Sequence, residues 1–550
     1  MDRRLHLPRR PALAPALAAA AALAWLPLAA PPLGAQSCDS VTTRTAPGLL
    51  SGRRIDSLEI VTLAPDPLPG PAKVVDGIHV RTLSSTIARQ LTFAVGDTVD
   101  TLRMAETMRR LRQRRYLADA WLVARPCAPG GGVALTLTTR DSWSTRPELK
   151  LGGSGMATFG LEERNLLGTG RSAALYARSA GSGIGLGAEV SDPQLPHTNL
   201  SAMVRTNSYR EGSDWRTAVA TRRLTIFDPW QVELAVDGTT YHGTGDTSGV
   251  FDRQQAALLV AHGVHAGPAG VVSVIGGAEW TRSRLFAGPD LALLGPAAVQ
   301  REFVGVDVGV RRESAAYDTL SWLLPDSALA DVPLGVEGEV ITGLGRDVAS
   351  DIGMMHLDGW VGRVWELPGS RLLVTDLWSS GYLGNVGWRA GSMRATVSYF
   401  GAARRGLWQA RLAAEHLIYP DPDVRALATV DPVRTLLPRD SRLAESAFSA
   451  LLERDVHVRA LSRVYALDAA AFGALSLHQA PASAGVSRLY AGVLGLGLRL
   501  APRSPGRATF RLDVGYPVTR SAGVPARPYI GVSVVPWLGA DRERDGRRER

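Results

Sequence analysis

Two rhythms of apolar and polar positions divide the chain. Between residues 53 and 141 the rhythm changes several times. Ile55, Leu58, Ile60 and Val61 predict a strand, Ser84 and Ser85 open a short helix through Ile87 and Leu91, and Gly96-Asp97 makes a turn. Thr101 is placed to cap a second helix, with Leu102, Ala105, Met108 and Leu111 at helical spacing. Residues 118–124 read as a strand. Gly130, Gly131 and Gly132 turn the chain, and Val133, Leu135 and Leu137 then alternate with Ala134, Thr136 and Thr138. The result is a compact βααββ unit.

From Trp143 onward, period two takes over. Leu175, Ala177 and Ser179 alternate with Tyr176, Arg178 and Ala180. Val304, Val306, Val308 and Val310 alternate with Gly305, Asp307, Gly309 and Arg311. Leu496, Leu498 and Leu500 alternate with Gly495, Gly497 and Arg499. A soluble sandwich alternates too, but here the pattern runs from 143 to 540 with few helical breaks and abundant glycine. A closed barrel with an apolar face toward lipid and a polar interior fits that scale, because closure removes every sheet edge. Gly168-Thr169-Gly170, Asp228-Pro229, Ala266-Gly267-Pro268, Pro368-Gly369 and Pro505-Gly506 read as short turns, and 314–332 as a longer polar connection of unassigned side. At roughly 25 residues per strand and connection, the span predicts about 16 strands. Trp230, Trp360, Trp365, Trp378 and Trp537 suit interfacial girdles. The expected fold class is mainly β: a transmembrane antiparallel β-barrel preceded by one small βααββ domain.

The ends differ from the body. Residues 1–35 read as a secretory signal: Arg3, Arg4, Arg9 and Arg10 precede an alanine- and leucine-rich run, which closes on Leu33-Gly34-Ala35. Residues 36–52 form a mature amino-terminal segment and 541–550 a charged tail. The net charge of +9 is spread, with +3 in residues 1–35 and +1 in the last ten. Nearly every base is arginine, Lys73 and Lys150 being the two lysines. No basic stripe with interleaved aromatics is present, so nucleic acid is not an expected partner. Cys38 and Cys127 are the two cysteines. Export to an oxidising space makes a disulfide between them plausible, with two buried thiols as the alternative. No nucleophile elbow, phosphate loop or H-E-x-x-H helix occurs, and His356, His416, His457 and His478 lack metal spacing. The expectation is therefore no enzyme, no metal and no cofactor.

The order of elements in 53–141 resembles a POTRA (polypeptide-transport-associated) domain. The segment 159–170, FGLEERNLLGTG, is similar to an early barrel hairpin of the BamA-type outer-membrane assembly and translocation superfamily, also called the bacterial surface antigen family. Asp192-Pro193-Gln194-Leu195 resembles the turn that follows in that family. The segments 495–500 and 511–517 are similar to its late strands. This resemblance implies a bacterial outer-membrane protein with its POTRA-like domain in the periplasm. Such a protein binds unfolded β-rich clients by strand addition and inserts or translocates them through a barrel with a weak lateral seam. Its implied partners are outer-membrane lipid, unfolded β-rich clients or a secreted exoprotein, and a periplasmic or inner-membrane protein.

The same resemblance implies a loop folded into the barrel that carries an arginine. Arg394 in Met393-Arg394-Ala395-Thr396 matches best, with Arg442 as a fallback, although the motif expects glycine and an aromatic where Ala395 and Thr396 stand. Asp468 and Glu415 are the implied partners on the barrel wall. The first strand, 146–153, contains Pro147 and the last, 527–537, contains Pro528 and Pro536. Proline donates no ladder hydrogen bond, so these mark the expected seam. The competing expectation is a passive channel or structural barrel that keeps the fold without insertase activity.

Overall fold

The structure, a computed structural model, describes residues 50–65, 79–114, 116–127, 131–151 and 157–535, apart from stretches inside the last range, the longest being 287–299 and 419–445. Residues 1–35, Cys38, Arg442, Pro505-Gly506, Pro536, Trp537 and the tail 541–550 lie outside the described residues.

The small domain is built from β1 (Ile55–Leu63), α1 (Ser84–Ala88), α2 (Thr101–Arg112), β2 (Leu117–Pro126) and β3 (Val133–Asp141). Its sheet runs β1-β3-β2, with β1 parallel to β3 and β2 antiparallel to it. Strict alternation in β3 buries Val133, Leu135 and Leu137, against which Ile55, Ile87, Met104, Met108 and Leu111 pack. Asp100, rather than Thr101, caps α2: its carboxylate accepts from the Leu102 and Arg103 amides at 3.0 and 3.1 Å. One residue earlier, the side chain reaches the orphan amides of the first turn.

Apart from one short hairpin, the strands of the remaining described chain form one antiparallel ring. Twenty strands follow one another from Thr145–Leu151 to Tyr529–Val535, and the order closes on itself. The barrel architecture is the expected one, but the ring holds more strands than the expected 16. Early strands such as Arg171–Ala180 and Gly183–Asp192 are ten residues long and tightly connected, so each takes less chain than the assumed spacing. Outward positions are apolar: Val304, Val306, Val308 and Val310 are exposed, as are Leu494, Leu496 and Leu498. Inward positions are polar or small, and Asp307, Glu339, Glu453, Asp455, Asp468, Arg499 and Asp513 are buried. This polarity is the reverse of a soluble protein and is the one that lipid demands of a barrel.

The turns at Gly168-Thr169-Gly170, Asp228-Pro229, Ala266-Gly267 and Pro368-Gly369 all fall at the end of the ring from which the small domain enters. The connection between Gln300–Glu313 and Gly335–Asp347 lies at this end too. It folds as a hairpin of Tyr317–Leu320 and Ala330–Pro333. Leu320, Leu323 and Val332 of this connection pack on Val364, Leu372, Val374 and Phe400, inward positions of the neighbouring wall. The strand ends Phe286, Gln300, Ile418 and Ser446 lie at the opposite end.

The tryptophans sort by face. By alternation, Trp230 and Trp365 look outward near the domain end. Trp360 and Trp378 are register partners on the inward face and do not belong to a girdle.

Candidate functional site

Three features of the barrel bear on function: the join between its first and last strands, the charged inner wall, and the contact with the small domain.

The join is sparse. Thr145–Leu151 pairs with its hairpin partner over seven positions, and Tyr529–Val535 pairs with its own over seven. Between these two strands a single register pair forms, Val532 with Leu151. By contrast, Val250–Gly267 and Gly270–Phe286 pair along nearly their whole length. Pro147 lies inside the first strand and brings no amide donor, and Pro528 immediately precedes the last.

The inner wall near the chain's end carries an ion network centred on Arg499. Its guanidinium donates to Glu453 Oε1 at 2.9 Å and to Asp513 Oδ1 at 2.5 Å, and Arg511 donates to Glu453 Oε2 at 2.6 Å. Gln409 donates to Asp455 at 2.6 Å. Glu453 lies two strands from Arg499, and the intervening strand Tyr465–Gln479 is rich in small residues, with Ala470 facing inward. A longer side chain there would obstruct the reach. At Gly497 a Cβ would overlap both the Asp513 carboxylate and the Arg499 guanidinium. The sequence reading missed these residues as a group. The available signal was their phase: Arg499, Arg511 and Asp513 occupy the positions between outward Leu498, Leu512 and Val514.

Among the described residues, Arg394 does not lie on a loop folded into the barrel. Arg394 lies within the strand Gly387–Ala403, on the inner wall, with Glu415 as its register partner on the next strand. Regular alternation on both sides holds the segment in the sheet: Met393 and Val397 face outward around it. Asp468 is not near Arg394. The register leads from Arg394 through Glu415 and Ala447 to His478, and Asp468 lies ten residues further along that strand, roughly 33 Å at strand spacing. Asp468 instead accepts from His457 Nδ1 at 2.9 Å and sits opposite Arg499.

Among the described residues, the small domain is fastened to the rim in two places. At the first, the Leu83 amide and the Thr86 hydroxyl both donate to the Gly168 carbonyl, at 3.0 Å each. Asn165 donates to Thr82 Oγ1 at 2.8 Å and accepts from the Gly170 amide at 2.8 Å. Gly168 has φ +74°, and a Cβ there would overlap the Arg81 carbonyl, so glycine is required. At the second place, Arg112 donates to both carboxylate oxygens of Asp331, and the Arg109 guanidinium lies 4.2 Å from the centre of the Tyr317 ring. Burial pushes the Tyr317 phenol up, so the ring stays neutral beneath the cation. Arg109 is held in turn by two hydrogen bonds to buried Glu106. Burial on its own would raise the Glu106 carboxyl; hydrogen bonds and charge from Arg109 and Arg110 outweigh it and hold the group below the usual carboxylate range.

In the small sheet, β3 is central. The start of β1 is already engaged by 96–99, through the Ile55 amide to Asp97 and the Gly96 amide to Ile55. The outer edge of β2 has no strand paired to it among the described residues. Cys127, just past β2, is disulfide-bonded, and the chain's other cysteine is Cys38.

No family model matches the chain, and no curated protein matches it. Solved structures that superpose on it include BamA from Haemophilus ducreyi lacking POTRA domains 1–3, at 10% identity and TM-score 0.36 over 88% of this chain and 85% of that one. CdiB from Escherichia coli superposes at 12% identity and TM-score 0.45, over 89% and 77%. The siderophore receptor PirA from Pseudomonas aeruginosa does so at 11% and 0.32, over 76% and 86%.

Proposed function

We propose that this chain is a bacterial outer-membrane assembly or translocation factor, with no catalytic chemistry of its own. Its small domain faces the periplasm, consistent with the short turns at that end of the barrel. An extended β-rich client adds to the outer edge of β2, where backbone hydrogen bonds supply affinity without demanding a particular sequence. The client then inserts or passes through the barrel by way of the join between Thr145–Leu151 and Tyr529–Val535. The observation that carries this reading is that join: one register pair, Val532 with Leu151, in a ring whose other neighbours are laddered. Breaking it forfeits few backbone hydrogen bonds, and a client strand would supply the missing partners.

The test is a covalent lock. In cells depleted of the wild-type protein, the double variant Leu151→Cys/Val532→Cys is expected to fold and, once oxidised, to fail to restore the other outer-membrane barrels or the secreted exoprotein. Restoration by the oxidised form to the level of its reduced form would refute the reading. A second reading, a passive channel, is favoured by the position of Arg394 in a wall strand instead of a loop folded into the barrel. Under that reading, depletion leaves the levels of other barrels and of secreted proteins unchanged.

A further inference from the structure

On the wall away from the Arg499 network, register brings together three side chains that are distant in sequence. Asp307 sits in the middle of Gln300–Glu313, with Gly277 as its register partner on one side and Gly343 on the other. Gly343 in turn faces His356 on the next strand. Glu279 lies two residues along from Gly277 on the same inward face. With no side chain at 277 or 343, Glu279 and His356 lean toward Asp307 from either side. Their donor atoms, with one of Asp307, all lie within 4.8 Å of one another. His356 Nδ1 and Glu279 Oε1 are 3.3 Å apart. Asp307 is only 4% exposed, and a Cβ at Gly343 would overlap its Oδ1. The imidazole is held in place by Tyr382, stacked at 5.0 Å, while Phe303 meets both rings edge-on.

We propose that Glu279, Asp307 and His356 form a binding site for a divalent metal cation of the Zn²⁺ type on the inner wall. The donor set is two carboxylates and one imidazole, a mixture suited to a borderline cation. Tetrahedral coordination at about 2.0–2.1 Å places donors roughly 3.3 Å apart. The His356–Glu279 pair already meets that spacing, and an Asp307 donor lies within 4.8 Å of both. The aromatic pair restricts the ring plane of His356 by packing on it. Asp307 lies on the tenth strand from the join, so a cation here would pin together the part of the wall opposite it. A simple His356–Glu279 ion pair is the rival account, and it has no need of Asp307 or of the gap at Gly343.

The two are separated by titrating the purified, chelator-stripped full chain, folded in detergent, with ZnCl₂ in a calorimeter. One equivalent is expected to bind per chain. Asp307→Asn and Gly343→Ala are expected to weaken that binding roughly tenfold or more. His416→Ala, in which a histidine on another part of the wall is lost, leaves it unchanged. Far-ultraviolet circular dichroism and heat-dependent migration in gels check that each variant is a folded barrel. Glu279→Gln, at a less enclosed position, gives the same comparison if either variant fails to fold. Absence of stoichiometric binding, or equal binding by the folded ligand variants and the wild type, would overturn the proposal.

Discussion

Arg112 at the end of α2 grips Asp331 of the rim hairpin with two parallel hydrogen bonds, at 2.8 and 2.9 Å, across 219 positions of sequence. Both side chains are largely enclosed, so the bond is more than a surface ion pair. Arg112→Ala removes it and leaves the Asp331 carboxylate without these donors, at a cost of about 1–3 kcal/mol in domain docking. Amide hydrogen exchange across 84–112 is expected to rise while exchange in the barrel strands stays the same. Unchanged protection in that helix would contradict the assignment. An Asp331→Ala partner variant completes the cycle and is expected to add little once Arg112 is gone.

Acid acts on the same fastening through Glu106. Its carboxyl lies below the ordinary range when folded, so its contribution to stability is complete at neutral pH and is lost as pH falls through the folded value. Protonation frees Arg109 from its anchor and loosens the cation over Tyr317. Between about pH 6 and pH 3, proteolytic cleavage near α2 is expected to accelerate in the wild type. In Glu106→Gln it is already fast at pH 6 and changes less over the interval. Parallel profiles for the two proteins would remove Glu106 as the cause.

The Arg499 network carries a different kind of vulnerability. Arg499→Ala leaves Glu453 and Asp513 enclosed without the guanidinium that each of them pairs with, and is expected to lower stability to urea by about 3–5 kcal/mol. Pairing that change with Glu453→Gln and Asp513→Asn is expected to recover part of the loss, because the stranded charges are then removed too. The midpoint of unfolding from detergent or vesicles reads both effects. A loss below 1 kcal/mol for the single variant would show that water reaches these groups freely.

Much of the architecture was open to reading from the chain because alternation encodes facing. Val304 to Val310 point to lipid and Asp307 to the inside for the same reason, and a period of two suffices to see it. The turn at 168–170 was equally legible, since glycine at that conformation has few substitutes. What alternation does not encode is register. The family resemblance pairs Arg394 with Asp468, and only the ladder from Arg394 to His478 reveals the distance between them. Glu279, Asp307 and His356 carry no spacing motif at all; they meet because two glycines happen to lie level with Asp307. The hairpin at 317–333 was hidden for another reason. Its apolar residues cover a patch inside the ring, so its composition suited a surface connection as well as a buried one.

The two fastenings of the small domain lie far apart on the rim. The turn at 166–170 follows the second strand from the join, whereas the hairpin carrying Asp331 follows the tenth of twenty. The domain thus crosses the mouth like a tie-rod across a hoop. A hoop cut at one point spreads only if the rod lengthens or lets go. Any widening of the barrel at Val532 and Leu151 is therefore mechanically tied to the grip of Arg112 on the far rim.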